Sequence, residues 1–157
     1  MFEIIEIDKN KFENLSNAEK IFGSNDSKYF YLVEGSNARF GFGWDAVIEP
    51  DKKDTKPVFL QFDGLLVIGT YDNVFVVSLL EGTIKFAIGL YEALLGIEKT
   101  DTGFVAITEL EIIAVNTDYF VISTFNLCAD IVKKYSLDGK VLKIRSVGDE
   151  IYTYTIC

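Results

Sequence analysis

The sequence predicts a mainly β chain, with antiparallel sheets folded as an open sandwich or partial barrel and one short N-terminal helix. Three observations carry that expectation. Hydrophobic residues make up 49% of the 157 and aromatics 14%, including 13 Phe and 8 Tyr, residue types that suit a pleated, half-buried surface. Short alternating or β-branched runs recur, punctuated by Gly, Asn and Asp. Two stretches also match one another without a gap, so part of the sheet structure is repeated. One domain over residues 1–157 is expected, long enough to bury a core without disulfides or metal.

In chain order, residues 1–7 alternate as a first strand. Residues 11–22 place Phe12, Leu15, Ala18, Ile21 and Phe22 at helical spacing and end on Gly23, which predicts the one helix. Ser16 and Glu19 have capping-box spacing, which moves its start toward Asn17. Lys28–Glu34 and Ala38–Ile48 then form a hairpin around Glu34-Gly35-Ser36-Asn37, followed by a charged loop over Glu49–Pro57. Segment 89–97 fits a connection with a helical turn, through Leu90, Leu94 and Ile97.

Residues 59–78 match residues 104–123 at an offset of 45. Phe59, Leu65, Ile68, Phe75, Val76 and Ser78 face Phe104, Leu110, Ile113, Phe120, Val121 and Ser123. Each copy reads as strand, turn, strand, with bends at Tyr71-Asp72-Asn73 and Asn116-Thr117-Asp118. Later strands follow at Thr83–Ile88, Ile131–Leu137 and Lys140–Ser146, the last two joined at Asp138-Gly139, and the units run over about 59–98 and 104–146.

A 45-residue period with several strands per unit, with Leu65–Ile88 and Leu137-Asp138-Gly139-Lys140-Val141-Leu142, resembles the blades of β-propellers. The resemblance lacks the Gly-His and Trp-Asp signatures of the best-known propeller repeats, so it implies a shape and no activity. The chain has room for about three such units, where propellers typically use four or more. The expectation is therefore an open twisted sheet folded on itself, with ring completion by oligomerisation as the alternative.

The formal charge is −9, from 24 acids and 15 Lys plus Arg. Residues 61–130 hold ten of the acids against only Lys85 and Lys99, while residues 131–157 carry a net +2. An acidic surface repels phosphate backbones and anionic lipid heads, which argues against nucleic acid and membrane and for a basic protein partner. The acidic N-terminus lacks the positive start of an export signal, and no apolar stretch reaches the roughly 18 residues of a membrane span. Cys128 and Cys157 do not make a disulfide framework, so free thiols and a cytoplasmic location are expected.

The chain has no histidine, which removes the commonest general base, the usual Ser and Cys triads and most zinc sites. No run has calcium-loop spacing, and neither a metal nor a cofactor is expected. Asp101-Thr102-Gly103 matches the short core of the aspartic-protease motif, yet its neighbours fit a turn entering a strand. Arg39-Phe40-Gly41-Phe42-Gly43-Trp44 has the look of a base-stacking strand, and with Ala46 nominally of a dinucleotide loop. Its context favours a glycine-relieved core strand instead. Glu109 and Glu111 would share one strand face, as a hydrolase carboxylate pair or, more simply, as the wet face of a sheet.

The expected function is a non-enzymatic acidic module that binds a basic protein, in one concrete form a bacterial immunity protein neutralising a toxin domain. Its contact residues are expected at Asp63, Asp72, Glu81, Glu109, Glu111 and Asp118, with Trp44, Tyr71 and Tyr119 as aromatic anchors. The alternatives are a propeller-like homo-oligomeric scaffold subunit, and a small-molecule binder using the aromatic 29–44 region.

Overall fold

The computed structural model describes residues 2–35, 37–44, 56–118, 121–126 and 131–156. It contains four sheets and one short helix among those residues, with no closed barrel. The chain divides into two compact units, Met1–Tyr71 with Phe75–Ala87, and Asp72–Val74 with Ile88–Cys157.

In the first unit, strand β1 (Phe2–Ile7) leads into helix α1 (Lys9–Glu13), which Asp8 caps by accepting the Lys11 N–H at 2.7 Å. Strands β2 (Lys20–Phe22), β3 (Tyr29–Gly35) and β4 (Arg39–Trp44) complete a sheet in the order β1-β3-β4-β2. The predicted helix over 11–22 is thus shorter and earlier than expected. Phe12 and Leu15 do bury under the sheet, but Ile21 and Phe22 belong to β2, which pairs in parallel with β4. Glu19 still accepts the Ser16 N–H at 2.8 Å, so half of the capping box forms around a turn without its helix.

Strands β5 (Val58–Phe62), β6 (Leu65–Gly69), β7 (Asn73–Ser78) and β8 (Thr83–Gly89) follow as a meander. The first unit's core joins the two sheets: Tyr31, Val33, Phe40 and Phe42 meet Leu66, Ile68, Val77 and Leu79. On the other face of the N-terminal sheet, Phe30 and Leu32 pack on Phe12 and Leu15. The alternation of β3 divides its side chains between these two cores.

In the second unit, strands β9 (Leu94–Lys99), β10 (Gly103–Thr108), β11 (Glu111–Asn116) and β12 (Val121–Asn126) form another meander. Strands β13 (Val132–Asp138), β14 (Val141–Ser146) and β15 (Ile151–Thr155) form a three-stranded one. Val105, Ile107, Ile112 and Ala114 pack with Val132, Leu142, Ile144 and Ile156. Segment 89–97, expected as a connection with a helical turn, instead ends β8, bends, and enters β9.

The 45-residue match lays β5, β6 and β7 over β10, β11 and β12, so each copy has three strands and two bends where one bend is expected. The additional bend is Asp63-Gly64, with φ of 48° and 77°, the arrangement of a type I′ hairpin. Phe62 pairs with Leu65 across it, whereas in the second copy Ile107 pairs with Ile112, a loop two residues longer. An even register shift keeps every side chain on its face, which is why the pattern survives it. The match also places the first strand of one sheet on the second strand of another. The sheets themselves recur sooner, starting at Val58, Leu94 and Val132, so four fit where about three are expected.

Candidate functional site

The expected acidic contacts occupy the bends that join neighbouring strands. Asp63 and Glu81 lie at one end of the β5–β8 sheet, where the Leu79 N–H donates to the Gly64 carbonyl at 2.9 Å. Asp72 lies in the β6–β7 bend at the opposite end, half-buried and accepting from Asn73 Nδ2 at 2.7 Å. Glu81 is tied up by Lys85 and Thr83, and the Lys85 contact holds its carboxyl below the usual carboxylate range.

In the β9–β12 sheet, the Thr117 N–H donates to the Thr102 carbonyl at 2.8 Å, which brings the β9–β10 and β11–β12 bends together. Asp101 and Asp118, both exposed, therefore share one end of that sheet. Asp118 is placed by its N–H, which donates to Asn116 Oδ1 at 3.0 Å. Glu109 and Glu111 sit at the other end. They do not share a strand face, because Glu109 belongs to the bend and only Glu111 to β11, where Thr108 Oγ1 accepts the Glu111 N–H at 2.9 Å.

Thus the acids fall into separate end clusters instead of one face. Asp101, which the sequence presents only as part of the Asp-Thr-Gly motif, is a rim acid beside Asp118. It occupies a turn entering β10, where Gly103 passes so close to Val115 that an added Cβ would stand 2.0 Å from the Val115 carbonyl oxygen.

The aromatic anchors divide as well. Trp44 is 8% exposed at the end of β4, so little of its ring is open to a partner. Tyr71 is half-buried, and Tyr119 lies outside the described residues, as do Ser36, Ala46, Cys128, Cys157 and most of the 49–57 loop. The glycine-rich strand packs inward: Phe40 and Phe42 are buried, and Phe42 stacks on Phe22 at 5.0 Å and Tyr31 at 5.3 Å. A Cβ on Gly41 would stand 2.3 Å from Leu15 Cδ1, so that glycine serves close packing and not a phosphate or a base.

Proton transfer at neutral pH by a carboxyl group needs a raised pKa. Among the described residues, the two carboxyls with a definite displacement, Glu19 and Glu81, are both pushed down, Glu19 first by the Ser16 backbone N–H and Glu81 first by Lys85. Among the described residues no group of three His, Cys, Asp or Glu is placed to hold a metal ion, and no helix is long and apolar enough to cross a membrane.

A second surface lies outside the residues that the sequence points to. A groove of about 430 Å³ runs over the C-terminal sheet, bordered by the exposed Lys134, Ser136, Lys143, Arg145 and Ile151 and also by Tyr135 and Ile144. Its signal in the sequence is the net +2 of residues 131–157 combined with period-two spacing, which puts Lys143 and Arg145 on the same face of β14.

No family model matches the chain, and no curated protein matches it. Solved structures do resemble it. The computationally designed Ika4 protein aligns with TM-score 0.57 at 10% identity, over 92% of this chain and 95% of that one. BamB from Moraxella catarrhalis aligns with TM-score 0.53 at 12% identity, over 81% of this chain and 40% of that one. BBS1N, solved in complex with ARL6DN, aligns with TM-score 0.55 at 13% identity, over 100% of this chain and 51% of that one. The chain thus spans about half or less of the last two, which are β-propeller proteins. At such identities the likeness is one of fold, consistent with the propeller-like resemblance read from the sequence.

Proposed function

We propose that this chain is a non-enzymatic binding module of propeller-like blades whose acidic bends dock a basic protein partner. The supporting observation is the pairing of Asp101 with Asp118 at one end of the β9–β12 sheet, within a stretch whose only cations are Lys85 and Lys99. Lys85 is matched by Glu81, which leaves Lys99, two residues from Asp101, as the cation of that stretch nearest to it in sequence. Rim carboxylates of this kind act through complementary potential, which speeds encounter and selects against acidic competitors. A toxin domain with a cationic cleft is the concrete partner this reading favours, which makes the module an immunity protein.

Capture from native cell extract tests it. The expected result is a basic protein that is retained at low salt and released at high salt, where screening shortens the Debye length to about 3 Å at 1 M. Asp101→Lys with Asp118→Lys is expected to slow association about tenfold or more while leaving the fold intact. A partner indifferent to salt, or no basic partner, overturns the reading.

A second reading rests on a different observation: among the described residues the C-terminal sheet has three strands where the other three sheets have four. An open sheet edge accepts a strand from another chain, as a homo-oligomeric scaffold would require. Mass measurement in solution separates the two. A closed oligomer that persists at high salt favours the scaffold, and a monomer favours the binding module.

A further inference from the structure

The two faces of the C-terminal sheet differ in chemistry. Tyr135, Leu137, Leu142, Ile144, Tyr152 and Tyr154 pack on the second unit's core. Strand alternation turns Lys134, Ser136, Lys143, Arg145 and Ile151 the other way, and all five are exposed. Register sets Lys134 directly opposite Arg145, Lys143 opposite Ser136, and Arg145 opposite Ile151. A register shift between Val132 and Lys134 leaves Lys133 out of this ladder, and Lys133 pairs instead with Asp149 at 3.2 Å.

Among the described residues, none of the ion pairs involves Lys134, Lys143 or Arg145. Like charges placed directly opposite one another on a sheet are destabilising. Lys134 against Arg145 is therefore a local liability, and it occurs in a chain whose formal charge is −9. A surface that only had to stay soluble would gain from placing one of the chain's many acids at either position.

We propose that this groove docks an acidic polypeptide segment of another protein, with carboxylates on Lys134, Lys143 and Arg145 and an aliphatic side chain against Ile151, which is 65% exposed. Charge complementarity selects the ligand's sign, and Ile151 selects a chain with apolar side chains over a plain polyanion. Single-stranded nucleic acid is disfavoured, because Tyr135, the one tyrosine that borders the groove, packs with Tyr152 and Tyr154 against the core, its hydroxyl end toward Gly96. A second copy is disfavoured because it brings its own charge of −9 with any acid it offers.

Fluorescence anisotropy with a labelled short peptide of alternating Glu and Leu, titrated with the full chain, tests this. The expected result is binding that weakens about tenfold or more between low and high salt, and no binding of the matching Lys-Leu peptide. Lys134→Glu is the informative variant. It replaces a repulsive cross-strand pair with an attractive one, so its melting temperature is expected to rise while peptide affinity falls about tenfold or more. An unfolded variant cannot give that combination. Asp101→Lys with Asp118→Lys is expected to leave peptide binding intact, which keeps this test separate from that of the acidic bends. Failure to bind the Glu-Leu peptide, equal binding by Lys134→Glu, tighter binding of an oligothymidine, or sedimentation as a dimer that Lys134→Glu dissociates would each overturn the proposal.

Discussion

Tyr135 shows how finely one side chain is seated. An added Cβ on Gly96 of β9 would stand 1.8 Å from the Tyr135 hydroxyl oxygen and 2.9 Å from Cζ. Gly96→Ala is expected to destabilise the protein by about 1–3 kcal/mol, and Tyr135→Phe in the same chain to return part of that, read by urea unfolding. The Tyr135 hydroxyl is pushed above its ordinary value of 10.0 by burial first, then by the charge and hydrogen bond of Glu98; Tyr31 is raised by burial and by Glu6. The neutral phenol is the form favoured by folding. Above pH 10 the folded chain thus holds protons the unfolded chain has released, and the stability present below that pH is lost as pH rises. Phenolate absorbance is expected to show a late-titrating component that shrinks by one tyrosine in each of Tyr31→Phe and Tyr135→Phe. None of this is legible in the sequence, because a glycine's neighbour across two sheets leaves no local pattern.

At the scale of elements, turn chemistry carries the most information. Asp138-Gly139 predicts a hairpin, and Gly139 takes φ of 57° between β13 and β14. Asp63-Gly64 has the same signal, but the ungapped 45-residue match runs straight through it and hides it. Gly64 has nothing within 4 Å of its would-be Cβ, so Gly64→Ala is expected to cost about 1 kcal/mol, from backbone strain at φ of 77° alone. Asp63→Asn, which keeps a favoured hairpin dipeptide, is expected to unfold at the same urea concentration as the parent. The helix departs from its expected span because Phe12 and Leu15 do sit at helical spacing, while Ile21 and Phe22 are claimed by β4, a partner some twenty residues on. Strand β15 is absent from the expected elements although Ile151-Tyr152-Thr153-Tyr154-Thr155 alternates with period two.

For the molecule as a whole, composition and charge are legible in the sequence, and so is the mainly β class. The two compact units are not. Their boundary passes through β7 and β8 with no Pro-rich or Ser-rich linker and no shift in composition, so nothing in the sequence punctuates it. Burial sorts the strands into two classes. The described side chains of β6, β7, β10 and β11 are mostly buried, while β8, β13 and β15 alternate with solvent. Amide hydrogen exchange is expected to be slowest in the first group and faster by at least tenfold in the second, and uniform protection would contradict the burial pattern.

The crossed order β1-β3-β4-β2 has its own consequence for how the polypeptide emerges from the ribosome. The β5–β8, β9–β12 and β13–β15 meanders can each zip up from adjacent hairpins as soon as their residues are made. Lys20 and Phe22 instead wait for Gly41 and Phe42, and Phe2 waits for Gly35. The segment made before the meanders is thus not the first that can finish folding, and until their partners arrive the exposed apolar side chains of β1 and β2 are where a chaperone would bind.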